Sequence, residues 1–212
     1  MIESPNPQGS GAWFLERIAL PTASNFKRIL TPWKLELSKQ ADDYLNRLLS
    51  ERFTGEPHDQ QDGGVETVWM ARGKSLEAEA FAAYALLTGL EPRQCGFCWR
   101  DERKRVGCSP DALVGDDGCL EIKSPMLSTH IGWQRGGVVP DDHKLQVYGE
   151  IYVTGRQWCD FVSYYPGMPL FVVRAHRFGW LETMDRAITE FCDRLDAEEA
   201  KLIEIGYHKV SP

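Results

Sequence analysis

No stretch of this 212-residue chain stays apolar for the roughly 20 residues that a bilayer span requires. Its opening, MIESPNPQGSG, has no basic region followed by an apolar run, so it does not read as a secretory leader, and the expected location is cytoplasmic. Six cysteines could suggest disulfides, but in a chain of this size whose opening does not read as a secretory leader, reduced thiols are expected. Cys95-Gly-Phe-Cys98 has the CxxC spacing. Neither Cys108 nor Cys119 supplies a second ligand pair, however, and no pair of histidines lies nearby, so half-buried strand thiols are expected rather than zinc. An excess of positive charge is also missing. The net charge of −7 argues against a protein whose main task is to coat nucleic acid. It leaves room for a carboxylate-rich cation site beside a local basic surface, and basic residues do cluster at Arg100-Asp-Glu-Arg-Lys-Arg105, Lys27-Arg28 and Arg72-Gly-Lys74. Internal repeats and low-complexity tracts are absent.

What is present reads as one α/β (or α+β) domain over 1–212, with residues 1–10 loose. A short helix is expected at 13–18. A second helical stretch over 26–30 follows Pro21-Thr-Ala-Ser-Asn, where Thr22 or Ser24 is placed to cap. Residues 36–53 carry Leu37, Tyr44, Leu45, Leu48 and Leu49 near helical spacing, and Gly55 and Pro57 stop that run. Polar, Gly-rich 54–65 reads as loop. A helix over 68–87 follows, with Leu76, Ala80, Phe81, Tyr84 and Leu87 as its apolar stripe. Short strands are expected at 94–99, 110–114 and 119–123, the last two joined by the Gly115-Asp-Asp-Gly118 turn. Helices over 141–154 and 180–205 enclose strands at 158–164 and 170–175. The sheet is expected to be largely antiparallel.

The informative stretch is Ser109-Pro-Asp-Ala-Leu-Val, the turn, then Leu120-Glu-Ile-Lys-Ser-Pro125. Side chains alternate along a strand, so Glu121 and Lys123 share a face while Leu120 and Ile122 take the other. The turn brings Asp111 back beside Glu121. Two convergent carboxylates and a main-chain carbonyl suit Mg²⁺ or Mn²⁺ rather than a thiophilic metal. An isolated Glu-x-Lys is more often an exposed ion pair. Here it has a Ser-Pro-Asp segment ten residues upstream and a proline at each end.

With those residues in place, Asp111…Glu121-x-Lys123 looks like the PD-(D/E)xK nuclease signature, and SPDALV…LEIKSP resembles the lambda exonuclease / YqaJ-type viral recombinase family. Trp13-x-x-x-Arg17, Thr22-Ala-Ser24, Arg72-Gly-Lys-x-x-Glu77 and Gln146 ahead of Tyr152-Val-Thr-Gly continue the likeness in order from residue 13 to 155. The resemblance implies a restriction-endonuclease-like core, a central mixed sheet flanked by helices. It further implies an Mg²⁺-dependent 5′-to-3′ exodeoxyribonuclease, with Mn²⁺ as a substitute, that leaves 3′ single-stranded overhangs for phage-type recombination in a bacterial or phage-infected cell. Asp111, Glu121, the Ile122 carbonyl and Glu77 would serve the metal. Lys123 and Gln146 would complete the catalytic set, Arg17 and Ser24 would grip the 5′ phosphate, and Asp101 would be an accessory acid. A homotrimeric ring around duplex DNA and a single-strand annealing partner also follow from the resemblance alone. The alternatives are a structure- or sequence-specific endonuclease on the same core, or a noncatalytic DNA-end-binding module. A lysine between carboxylates and a phosphate stays charged, so Lys123 is expected to orient water rather than act as a base. His130 and His143 are expected to be polar loop or surface histidines, Trp133 and Phe97 either core or DNA-stacking aromatics, and 132–137 a loop.

Overall fold

The computed structural model describes residues 1–58, 68–177 and 179–210; of residues 68–74 it describes the backbone alone. Most of the expected 54–65 loop, and the side chains of Arg72 and Lys74, therefore lie outside the described residues. Within them run, in order, β1 (Ile2–Glu3), α1 (Gly11–Glu16), a 3₁₀ turn (Ala23–Asn25), α2 (Phe26–Ile29), α3 (Ala41–Thr54), α4 (Val68–Thr88), β2 (Pro92–Arg93), β3 (Cys98–Trp99), β4 (Gly107–Cys108), β5 (Ala112–Val114), β6 (Gly118–Lys123), α5 (Leu127–Gly136), α6 (Asp141–Thr154), β7 (Trp158–Ser163), β8 (Phe171–His176) and α7 (Leu181–Glu204).

The chain's chemistry sets most of these boundaries. Asp42 and Asp43 occupy the first turn of α3 and Asp141 and Asp142 that of α6, where carboxylates complement the positive end of the helix dipole. Gly55 and Gly155 end those helices in the left-handed conformation, at φ +70° and +72°. Helix α7 buries Leu181, Met184, Ile188, Phe191, Cys192 and Leu195, a stripe spaced by three and four residues. Ser10 caps α1 by accepting from the Trp13 amide at 3.2 Å. Thr22 makes no such cap; its hydroxyl accepts instead from Asn25 Nδ2 at 3.0 Å. Leu37 stands outside α3, in the segment that precedes it, and is exposed.

Strands β2-β5-β6-β7-β8 form a five-stranded sheet, and β1-β3-β4 a smaller antiparallel one. The residue pattern reads as a largely antiparallel sheet and the family resemblance implies a mixed one; the large sheet is mixed, its central β6–β7 pair being parallel, with Glu121 level with Phe161 and Lys123 with Ser163. Parallel neighbours need a long crossover. Helices α5 and α6 provide it, so 127–136 is helix where 132–137 reads as loop from sequence. Its glycines are helical except Gly137, the left-handed cap at φ +66°.

One face of the large sheet (Leu113, Cys119, Cys159, Phe161, Ala175) packs against α6 and α7 through Leu145, Val147, Ile151 and Ile188. The opposite face (Ala112, Val114, Leu120, Ile122, Val162) receives Ala80 and Tyr84 of α4. Three layers result, with β6 in the middle. Helix α6 also lies hard against the 3₁₀ turn, since a Cβ on Gly149 would stand 2.8 Å from the Phe26 ring and 2.9 Å from the Ala23 methyl. Among the described residues no helix is long and apolar enough to cross a membrane.

Candidate active site

The alternation along β6 puts Leu120 and Ile122 into the α4-side core and turns Glu121 and Lys123 toward α6. Strand β5 begins at Ala112, opposite Leu120, so Asp111 arrives just ahead of the ladder on the same side as Glu121. One Asp111 carboxylate oxygen, Oδ2, accepts from the Ile122 amide at 2.6 Å. Glu121, 1% exposed, forms an ion pair with Lys123 through Oε1 and accepts from Gln146 Nε2 at 2.6 Å. Its other oxygen, Oε2, is buried without a hydrogen-bond partner among the described residues. From α6 the same Gln146 amide reaches Glu150 Oε1 at 3.3 Å, while Cys159 Sγ donates to Glu150 Oε2 at 3.4 Å.

Three carboxylates thus crowd one ammonium. Burial, then Glu121, push the Asp111 carboxyl well above the usual range, and the same two causes act in the same order on Glu150. On Lys123, burial opposes charge, but Glu121 and Asp111 more than offset it and hold the ammonium above its ordinary value. The lysine side chain keeps 31% of its surface open while its ammonium pairs with the buried Glu121 carboxylate. Glu77, on α4, accepts from Gln94 at 3.1 Å and is near enough to Asp111 to raise its carboxyl further.

An oxygen-rich donor set, an excess of negative charge and an orphaned carboxylate oxygen fit a hard divalent cation. Among the described residues no three His, Cys, Asp or Glu side chains already stand in ligand geometry. Asp111 leans on an amide and Glu121 on Lys123 and Gln146, so a cation would draw both carboxylates away from these partners.

The remaining expected residues fall elsewhere. Arg17 lies over the Trp13 ring, 4.2 Å from its centroid, and Ser24 is exposed within the 3₁₀ turn with its hydroxyl 3.3 Å from that of Thr22. Asp101 occupies the tip of the β3–β4 hairpin, where its carboxylate accepts from the Arg103 amide at 2.9 Å. Arg105 pairs with Asp193 and Asp196, and Lys104 covers the Trp99 ring, so this basic run braces α7 and the small sheet. His130 is no surface histidine: it is 1% exposed, between the Ser163 hydroxyl at 2.8 Å and the Pro169 carbonyl at 3.2 Å. His143 sits in an aromatic nest with Trp133 and Phe161, and burial followed by Lys123 lowers it to about 4. Phe97 is fully buried beside Trp99. All six cysteines are free and buried, deeper than the half-buried strand positions expected. Glu150 is the site member that sequence reading missed. Its signal was the Gln146-x-x-x-Glu150 spacing, which stacks both side chains on one helix face.

Residues 12–157 match the YqaJ-like viral recombinase domain family. An alkaline exonuclease from Laribacter hongkongensis is similar at 32% identity and TM-score 0.80, over 92% of this chain and 97% of that one. Its complex with dAMP is similar at 32% identity and TM-score 0.77, over 91% and 96%. A phage-related exonuclease from Haemophilus somnus shares the fold, at 14% identity and TM-score 0.59 over 87% of this chain and 95% of that one. No curated protein matches. With more than half of the chain inside the family match and 32% identity to a solved relative over 92% of the chain, the chain belongs to the YqaJ-like viral recombinase domain family.

Proposed function

We propose that this chain is a divalent-cation-dependent exodeoxyribonuclease of the PD-(D/E)xK type, which degrades the 5′ strand of linear duplex DNA and leaves 3′ single strands for phage-type recombination in the cytoplasm. The observation that carries the reading is the crowding of Asp111, Glu121 and Glu150 around Lys123, with Glu121 Oε2 unpartnered. That two structures of a 32% identical relative are described as an alkaline exonuclease supports it.

Asp111, Glu121 and the Ile122 carbonyl would hold Mg²⁺, or Mn²⁺ in its place, with Glu77 assisting. The ion would supply Lewis-acid polarisation of the scissile phosphate and a lower pKa for the attacking water. Lys123, kept charged by its carboxylate neighbours, is poorly suited to accept a proton. It donates instead to the attacking water and to the phosphate oxygens, stabilising charge that grows in the transition state. Gln146 fixes the rotamer of Glu121 by donating to Oε1 and, by reaching Glu150 as well, keeps the carboxylates from swinging apart.

Arg17 and the Ser24 hydroxyl would hold the terminal 5′ phosphate. Ser24 would act through its hydroxyl rather than as a helix cap, because the 3₁₀ turn offers no capping geometry there. A homotrimeric ring around DNA and a single-strand annealing partner belong to the same proposal. Sizing the protein in solution tests the ring, which a monomer unchanged across concentration would refute.

Digestion of linear duplexes labelled at the 5′ or 3′ end, with Mg²⁺ and with EDTA, tests the whole reading. Early loss of 5′ label, in Mg²⁺ alone, is expected. Cutting of closed circular DNA would favour an endonuclease instead, since such an enzyme has no terminal phosphate for Arg17 to hold.

A further inference from the structure

Asp111 occupies an awkward place for a residue on which a site depends. It precedes the first paired residue of β5, so no ladder bond of the sheet fixes its backbone. Its neighbours Ser109 and Pro110 are held from outside, by the N-terminal arm. Gln8 Nε2 donates to the Pro110 carbonyl at 2.7 Å and to the Cys95 carbonyl at 3.0 Å. Trp13 Nε1 donates to the Ser109 hydroxyl at 3.0 Å.

The arm is itself firmly seated. Ser4 Oγ and Asn6 Nδ2 both donate to Glu16 Oε1 at 2.7 Å, and the Ser4 amide donates to the Phe97 carbonyl at 2.8 Å. A Cβ on Gly96 would stand 2.3 Å from the Ser4 carbonyl oxygen, so only glycine admits the arm at that point. Trp13 is buried with Phe97 and Trp99.

We infer that the N-terminal arm is a brace for the cation site: Gln8 and Trp13 are positioning residues that fix the Ser109–Pro110 segment and through it the Asp111 carboxylate. The inference rests on the nuclease reading for the importance of Asp111, but not for the geometry. Gln8 is exposed and adds nothing to the core, so a role in packing does not explain its two long-range hydrogen bonds. Because Arg17 lies over the same Trp13 ring, one side chain supports both the proposed phosphate grip and the Asp111 segment.

The Ile122 amide, which donates to Asp111 Oδ2, reports on the brace in metal-free protein. Gln8→Ala and Trp13→Phe should each speed its hydrogen exchange by about tenfold, as expected when a local hydrogen-bonded constraint is lost, while the Leu120 amide inside the ladder exchanges as in the native chain. Mn²⁺ affinity, read by electron paramagnetic resonance, should fall by roughly 10-fold in both variants, the scale found when outer-shell partners are removed. Trp13→Phe keeps a ring beneath Arg17, so preference for 5′-phosphorylated over 5′-hydroxyl ends should survive in it, a split that general unfolding would not produce. Gln8→Ala, at an exposed position, guards against misfolding of the tryptophan variant. Native-like Ile122 exchange together with native-like Mn²⁺ affinity in both variants would overturn the brace. Faster Ile122 exchange in variants of a protein that neither binds Mn²⁺ nor cuts DNA would uphold the brace and sink the nuclease reading.

Discussion

Glu121 and Asp160 sit one register step apart on neighbouring strands of the same sheet, and each is 1% exposed, yet their surroundings differ in kind. Asp160 faces α4. Both its oxygens accept from Arg174, Oδ1 from Nε and Oδ2 from the guanidinium end, each at 2.8 Å, and Tyr84 donates to Oδ2 at 2.7 Å. Arg174 in turn lies over the Trp158 ring. That network is complete: one carboxylate, one guanidinium, one hydroxyl. Glu121 faces α6 among two further carboxylates, a single ammonium and one unpartnered oxygen of its own. A satisfied buried charge ties layers together, whereas a crowded, under-satisfied one stores instability that a bound cation relieves. The two faces of one strand pair thus differ: one holds a satisfied structural network, and the other holds the residues of the proposed chemistry.

Removing the ammonium probes the chemical side most strongly. Lys123→Ala should lower the turnover of DNA ends by about 10²–10³ or more, with end binding retained, because the lost interaction is one made to the transition state. Near-normal turnover would sink the assignment. The stability contrast comes next. Asp160→Asn should cost about 3 kcal/mol, at the low end for a broken buried pair because Arg174 can turn partly to water, and should spare cleavage chemistry. Asp111→Asn should do the reverse. It should abolish cleavage while raising metal-free stability by about 1 kcal/mol, since it relieves like-charge crowding. Chemical denaturation of both variants in EDTA checks the signs, and equal destabilisation would erase the contrast.

The smallest effect concerns pH. His143 has a folded value of about 4 against an ordinary 6.5, so the folded chain binds fewer protons in that interval. Its contribution is therefore full above pH 6.5 and is lost as pH falls toward 4. His143→Phe keeps the stacking on Trp133 and Phe161. Between pH 7 and 4.5 it should lose about 1–2 kcal/mol less stability than the native chain, a figure reduced because the ring is only partly buried. Parallel urea midpoints across that range would refute this.

Much of this was legible in the sequence, for reasons that can be named. Helix α6 falls at 141–154 as read, because first-turn aspartates and Gly155 mark both ends locally. Asp111, Glu121 and Lys123 meet because a tight turn and strand alternation are short-range facts. The parallel β6–β7 pairing was not legible, since it depends on a crossover whose first helix, α5, carries glycines that read as loop. Asp101 fails to join the cluster because its hairpin belongs to the other sheet. Glu150 escaped notice because only the tertiary approach of α6 to β6 shows that a second residue on that helix face reaches the site.

Titrating Mn²⁺ calorimetrically into the metal-free native chain, Asp111→Asn and Tyr84→Phe tests the central claim most directly. The account predicts binding by the native chain and by Tyr84→Phe, whose change touches only the satisfied Asp160 network, and none by Asp111→Asn. Equal binding by all three, or none by the native chain, would contradict it.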